Sequence, residues 1–112
     1  MKSRLFIAAL TLALALPVAA DFTTVQQAYE VALSDVRLPR SESGTIAYKT
    51  CATCSYETRQ IDANTRWLVD GKSVPLKKFR EAVQRVTEPN KEAVTVLHHL
   101  ETNRVTQVSV YL

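Results

Sequence analysis

The chain has 112 residues, 46% of them hydrophobic and 22% charged, and its 14 basic and 11 acidic side chains give a net charge of +3. Lys2 and Arg4 fall in a leader-like N-terminus, so the rest carries 12 basic against 11 acidic residues, a net +1. So near-neutral a domain offers no global charge argument for nucleic acid or for an anionic membrane.

Residues 1–20 read as a cleavable signal peptide. Met1-Lys2-Ser3-Arg4 is a short positive start, and Leu5 to Leu16 is uncharged and apolar. Pro17 and the small residues Val18-Ala19-Ala20 then precede a cut before Asp21. The apolar run is twelve residues, short of the roughly twenty needed to span a bilayer. Asp21 stands where a lipoprotein would need cysteine. The expectation is a periplasmic or secreted domain of 92 residues with no membrane span after cleavage, large enough for one hydrophobic core.

The first mature element, Phe22 to Leu38, reads as an amphipathic helix. Val25, Ala28, Tyr29, Ala32, Leu33 and Val36 recur at steps of three and four. Thr23 with Gln26 has capping-box spacing, and Pro39 ends the element. Residues 40–44 form a polar linker, so 21–43 is an N-terminal helix and linker ahead of a domain over 44–112. From Thr45 the period shortens to two. Strands are expected over Thr45 to Cys51, Ser55 to Ile61 and Thr65 to Val69. Asp70-Gly71 is a tight-turn signal into Lys72 to Val74. Pro75 suits the start of a helix with Leu76, Phe79, Val83 and Val86 on one face. Lys77, Lys78, Arg80, Glu81 and Arg85 lie on its other face, which reads as the solvated side. Two strands close the chain. Ala93 to Leu100 places Val94, Val96, His98 and Leu100 together, and Val105 to Leu112 places Val108, Val110 and Leu112 together. Between them, Asn103 suits a left-handed loop position.

The order β-β-β-α-β-β predicts a mainly β protein with two helices: a five-stranded OB-like barrel, preceded by the N-terminal helix packed outside it. An open α+β sandwich is the alternative. Gly44-Thr45-Ile46, Trp67-Leu68-Val69-Asp70-Gly71-Lys72, Val94-Thr95-Val96 and Arg104-Val105-Thr106 resemble small secreted bacterial domains of unknown function with OB-like barrels. Those domains carry a glycine before the first strand, a -DG- or -NG- hairpin after the third and a TGRV-type turn before the last. The resemblance covers roughly Gly44 to Leu112. Asn103 replaces the usual glycine, and the N-terminal helix is additional. The resemblance implies a barrel and export, and no activity.

Cys51-Ala52-Thr53-Cys54 is the one motif with chemistry of its own. In an exported chain with an even cysteine count, a structural disulfide pinning the first hairpin is the primary reading. A thiol–disulfide redox pair has the spacing, but lacks the helix N-terminus that lowers a thiol pKa. Zinc or copper bound by Cys51, Cys54 and one of His98 and His99 is the third reading; neighbouring strand residues face opposite ways, so only one histidine can join. Tyr56, Arg59, Arg66 and Trp67 mark a ligand surface on the second and third strands, although Trp67 also suits the core. There is no Ser-His-Asp set, close carboxylate pair or glycine-rich phosphate loop, so the chain reads as a non-enzymatic module without a cofactor. An envelope protein or a saccharide is the expected partner.

Overall fold

A computed structural model describes residues 25–112. The signal-peptide expectation and residues 21–24 lie outside this range. The described residues form eight strands and one helix in order: β1 Gln26–Ala32, β2 Val36–Arg37, β3 Thr45–Tyr48, β4 Glu57–Gln60, β5 Arg66–Val69, β6 Lys72–Val74, α1 Leu76–Gln84, β7 Ala93–His99 and β8 Arg104–Val110. A single 3-10 turn, Leu33–Asp35, separates β1 from β2.

The expected N-terminal helix is a strand. β1 pairs antiparallel with β7 along its whole length, Gln26 opposite His99 and Ala32 opposite Ala93. The helical stripe included Ala28 and Ala32, whose small side chains gain little from burial. The same segment carries a second pattern of period two: Tyr29 is half-buried, while Val31 and Leu33 are buried. Tyr29 lies opposite Val96 and Val31 opposite Val94, so the strand places its larger side chains against the core. Non-local pairing overrides the local period.

The strands form one open sheet with pairing order β1-β7-β8-β4-β3-β2, and β5 and β6 branch from β8. The five-stranded closed barrel is thus replaced by an open eight-stranded sheet. The far edge of β8 is divided. Arg104 pairs in parallel with Gln60 of β4, and Gln107 to Val110 pair in parallel with Arg66 to Val69 of β5. Near this division the β7–β8 register shifts, Leu97 facing Gln107 and His98 facing Val105. Thr106 is therefore a bulge residue, and the extra step lets both Val105 and Val108 reach the core. The ends of the pairing path, β1 and β2, are consecutive in the chain, and the Tyr29 and Tyr48 rings meet 5.7 Å apart.

Ile46, Tyr48, Ile61, Trp67, Phe79, Val94, Val96, Val105, Val108 and Val110 make up most of the core. Helix α1 starts at Pro75 and lays Leu76 and Phe79 onto β5, with the Phe79 ring 5.2 Å from Trp67. Two predicted turns form as expected. Asp70 and Gly71 have φ of 52° and 82°, as the tight β5–β6 turn requires, and Asn103 has φ of 56°.

The connection from β4 to β5 is fastened to the β8 strand. The Asn64 amide donates to Asp62 Oδ1 at 2.8 Å, and Arg104 Nη1 donates to Oδ2 at 2.9 Å. The Thr65 hydroxyl donates to the Val105 carbonyl at 2.8 Å. The Asn64 amide, followed by Arg104, holds the Asp62 carboxyl below its ordinary value of 3.8. A carboxylate with a lowered folded pKa adds stability above its unfolded value, which is lost as pH falls through the folded one. The Tm of the wild type should therefore fall relative to that of Asp62→Asn on acidification below pH 3.8. The difference should be small because the ion pair is solvated. Parallel Tm–pH curves for the two proteins would contradict it.

Candidate binding surface at the stapled hairpin

β3 and β4 form a hairpin with Tyr48 opposite Glu57 and Thr45 opposite Gln60. Both strands are shorter than predicted. The loop between them carries the Cys51–Cys54 disulfide, with Cα atoms 5.0 Å apart. The Cys54 amide donates to the Cys51 carbonyl at 3.2 Å, closing the turn. Cys51 is exposed and Cys54 half-buried, and neither lies on a helix. The staple sits at the tip of the first predicted hairpin, and the described residues contain no free cysteine.

Beside the staple, the outer face of the sheet carries a basic and aromatic cluster. Ala47 pairs with Arg37 of β2 on one side and Thr58 of β4 on the other. Directly opposed residues share a face, as do residues two apart along a strand. This face is opposite to that of buried Ile46 and Tyr48. Lys49, two beyond Ala47, and Tyr56, two before Thr58, extend the row. The Arg37 guanidinium stacks 4.0 Å from the Tyr56 ring centroid, and Lys49 Nζ lies 4.9 Å from it. Among the described residues four ion pairs engage Arg59, Lys78, Lys91 and Arg104. Among the described residues no carboxylate pairs with Arg37 or Lys49. Nearby Asp35 contributes its backbone carbonyl to the Lys49 amide at 3.1 Å. The ring contact holds the Arg37 guanidinium in place, and a guanidinium fork suits a two-oxygen anion.

Of the predicted ligand surface, Tyr56 alone belongs to this cluster. Arg59 lies opposite Ile46 and turns to the inner face, where Nη2 donates to Glu57 Oε2 at 3.2 Å and Nη1 to the Thr58 carbonyl at 3.1 Å. Trp67 is 3% exposed and packed in the core. Arg66 is exposed at the start of β5, separate from the hairpin tip. Arg37 and Lys49 were missed. Lys49 continues the alternation Thr45-Ala47-Lys49, a signal present in the sequence; Arg37 was hidden by the helical reading of its segment.

The proposed metal ligands do not assemble. Cys51 and Cys54 are bonded to each other, His98 Nε2 lies 2.7 Å from Asn103 Oδ1, and His99 Nδ1 accepts from the Thr102 amide at 3.3 Å. Among the described residues no group of three or more His, Cys, Asp or Glu side chains could hold a metal ion. On α1, Lys77 and Lys78 are exposed as expected, as is Arg85 at its C-terminal cap, and Lys78 pairs with Glu81 at 3.6 Å. A groove beside this helix mixes charges, with Arg40, Glu42, Lys77, Arg80 and Glu81 lining it. Among the described residues no helix is long and apolar enough to cross a membrane. No family model, curated protein or solved structure matches the chain.

Proposed function

We propose that this chain is an exported binding module, and that the outer face of its disulfide-stapled hairpin recognises carboxylate groups on an anionic envelope partner. The observation that carries the reading is the Arg37–Tyr56–Lys49 cluster: two cations on one aromatic ring, with no carboxylate engaging either cation among the described residues. The staple closes the loop from which Tyr56 emerges, which limits the ordering needed on binding.

The strand pairing supports the same reading. With β1 joined to β2 and β4 to β5 as two bent strands, and with the three-residue hairpin strand β6 set aside, five strands remain. The first pairs with the second and fourth, and the third runs parallel to the fifth. That pairing supports an OB-like strand order on an open sheet, in which the first strand is the segment expected to be helical. The second and third strands are then β3 and β4–β5, the strands on which such folds bind oligomeric ligands. Tyr56 and Lys49 lie at their hairpin. A redox function remains a separate proposal for Cys51 and Cys54, but their loop offers no helix dipole to stabilise a thiolate.

Isothermal titration with an oligoglutamate and an oligogalacturonate separates a protein source of carboxylates from a saccharide source. Binding of at least one is expected, weakening as salt rises. Arg37→Ala should weaken it about tenfold, as loss of a charge-assisted pair does. Lack of binding to both, or full affinity in Arg37→Ala/Lys49→Ala, would refute the reading.

A further inference from the structure

Strand β1 ends the pairing path, bonded to β7 and to no other strand among the described residues. Its two margins differ. The Leu100 amide donates to the Val25 carbonyl at 2.8 Å, and the Leu33 amide donates to the Glu92 carbonyl at 2.8 Å. Antiparallel strands bond through alternate residues, so Gln27, Tyr29 and Val31 also turn their backbone groups to β7. Gln26, Ala28, Glu30 and Ala32 turn theirs away from it, and among the described residues no other strand or turn bonds to them. Exposed edges are ordinarily blunted by proline, lysine, a bulge or extreme shortness. β1 has none of these: it is seven residues, QQAYEVA, in unbroken register with β7.

We propose that a second copy of this chain pairs antiparallel with this free margin, about a two-fold axis at Ala28. The side chains choose the register. With Ala28 facing its own counterpart, Gln26 stands opposite Glu30 of the second copy, and Glu30 opposite the other Gln26. Both are exposed on the outer face. Gln26 Oε1 already accepts from the Thr106 hydroxyl at 3.0 Å, which leaves its NH2 group to donate. Glu30 takes part in none of the ion pairs among the described residues. On the inner face, Val31 stands opposite Val25 of the second copy. Val25 and its neighbour Leu100 are 44% and 42% exposed, and this register sets them in line with buried Val31 and Val94. Moving the axis to Glu30 would oppose like charges directly, which is destabilising. Moving it to Tyr29 would leave Glu30 opposite Ala28, without a donor. The pairing adds about six main-chain hydrogen bonds, two for each outward-facing pair. It does not rest on the carboxylate-binding reading.

The test is sedimentation velocity of the protein from micromolar to millimolar concentration, joined to cysteine trapping. The wild type should show a monomer–dimer equilibrium. Ala28→Asp sets two carboxylates face to face and should abolish the dimer while leaving the circular dichroism spectrum unchanged. Opposed residues of an outward-facing pair have Cα atoms about 5.5 Å apart, within reach of a disulfide. Ala28→Cys should therefore give a disulfide-linked dimer on oxidation, whereas Glu30→Cys and, between β4 and β5, Ala63→Cys should not. A wild type that stays monomeric at millimolar concentration overturns the proposal and leaves the edge to a partner of different sequence. A natively folded Ala28→Asp that dimerises like the wild type overturns it too, as does linkage through Glu30→Cys in place of Ala28→Cys.

Discussion

Replacing Phe79 with alanine should cost about 3–5 kcal/mol of folding stability, the range for a large aromatic removed from a packed core. Phe79 is fully buried and lies 5.2 Å from the Trp67 ring. Helix α1 is nine residues long and has no side-chain N-cap, so its own local stability is slight. Its anchorage is the burial of Leu76 and Phe79 against β5. The cavity would lie between helix and sheet, and α1 should lose amide protection before the β7–β8 pair does. Denaturant melts with hydrogen exchange check both parts. A loss below about 1 kcal/mol would mean that the helix is not held by this contact.

Val31→Asp should be nearly as damaging, at about 3 kcal/mol or more, because it buries a carboxylate without a partner. Val31 is 6% exposed and lies opposite buried Val94. Ala28→Asp should change stability by only about 1 kcal/mol, since Ala28 is on the exposed face of β1. The pair discriminates between strand and helix. On a helix, Ala28 would lie in the apolar stripe and Val31 off it, so the two effects would be exchanged. Equilibrium unfolding of both variants measures the order directly.

These residues also show how far the fold was legible in the sequence. From Thr45 onward the period-two runs, the Asp70-Gly71 turn, the helix from Leu76 and the left-handed Asn103 all correspond to observed elements. Each depends on local chemistry: alternation, a proline at a helix start, a residue tolerant of positive φ. Gln26 to Ala32 carries apolar residues at both periods, Ala28 on the helical one and Val31 on the strand one, and only pairing with β7 decides between them. The divided edge of β8 was likewise not legible, since the Thr106 bulge is a property of the pair rather than of either strand.

The site was legible in part for the same reason. Local spacing placed the staple at a hairpin tip, and the disulfide is there. Tyr56 lies beside Arg37 and Lys49, whereas Arg59 and Trp67 turn inward because their strand partners, Ile46 and Val108, are in the core. Arg37 enters the cluster only once β2 is paired with β3.

The most direct test of the carboxylate-binding surface is an amide chemical-shift titration of the labelled, oxidised protein, separately with the oligoglutamate and the oligogalacturonate. The account predicts changes centred on Arg37, Lys49 and the loop from Cys51 to Tyr56 with the ligand that binds. Changes centred on Lys77, Lys78 and Arg80 of α1 and on Arg85 at its C-terminal cap, or none with either ligand, would contradict it.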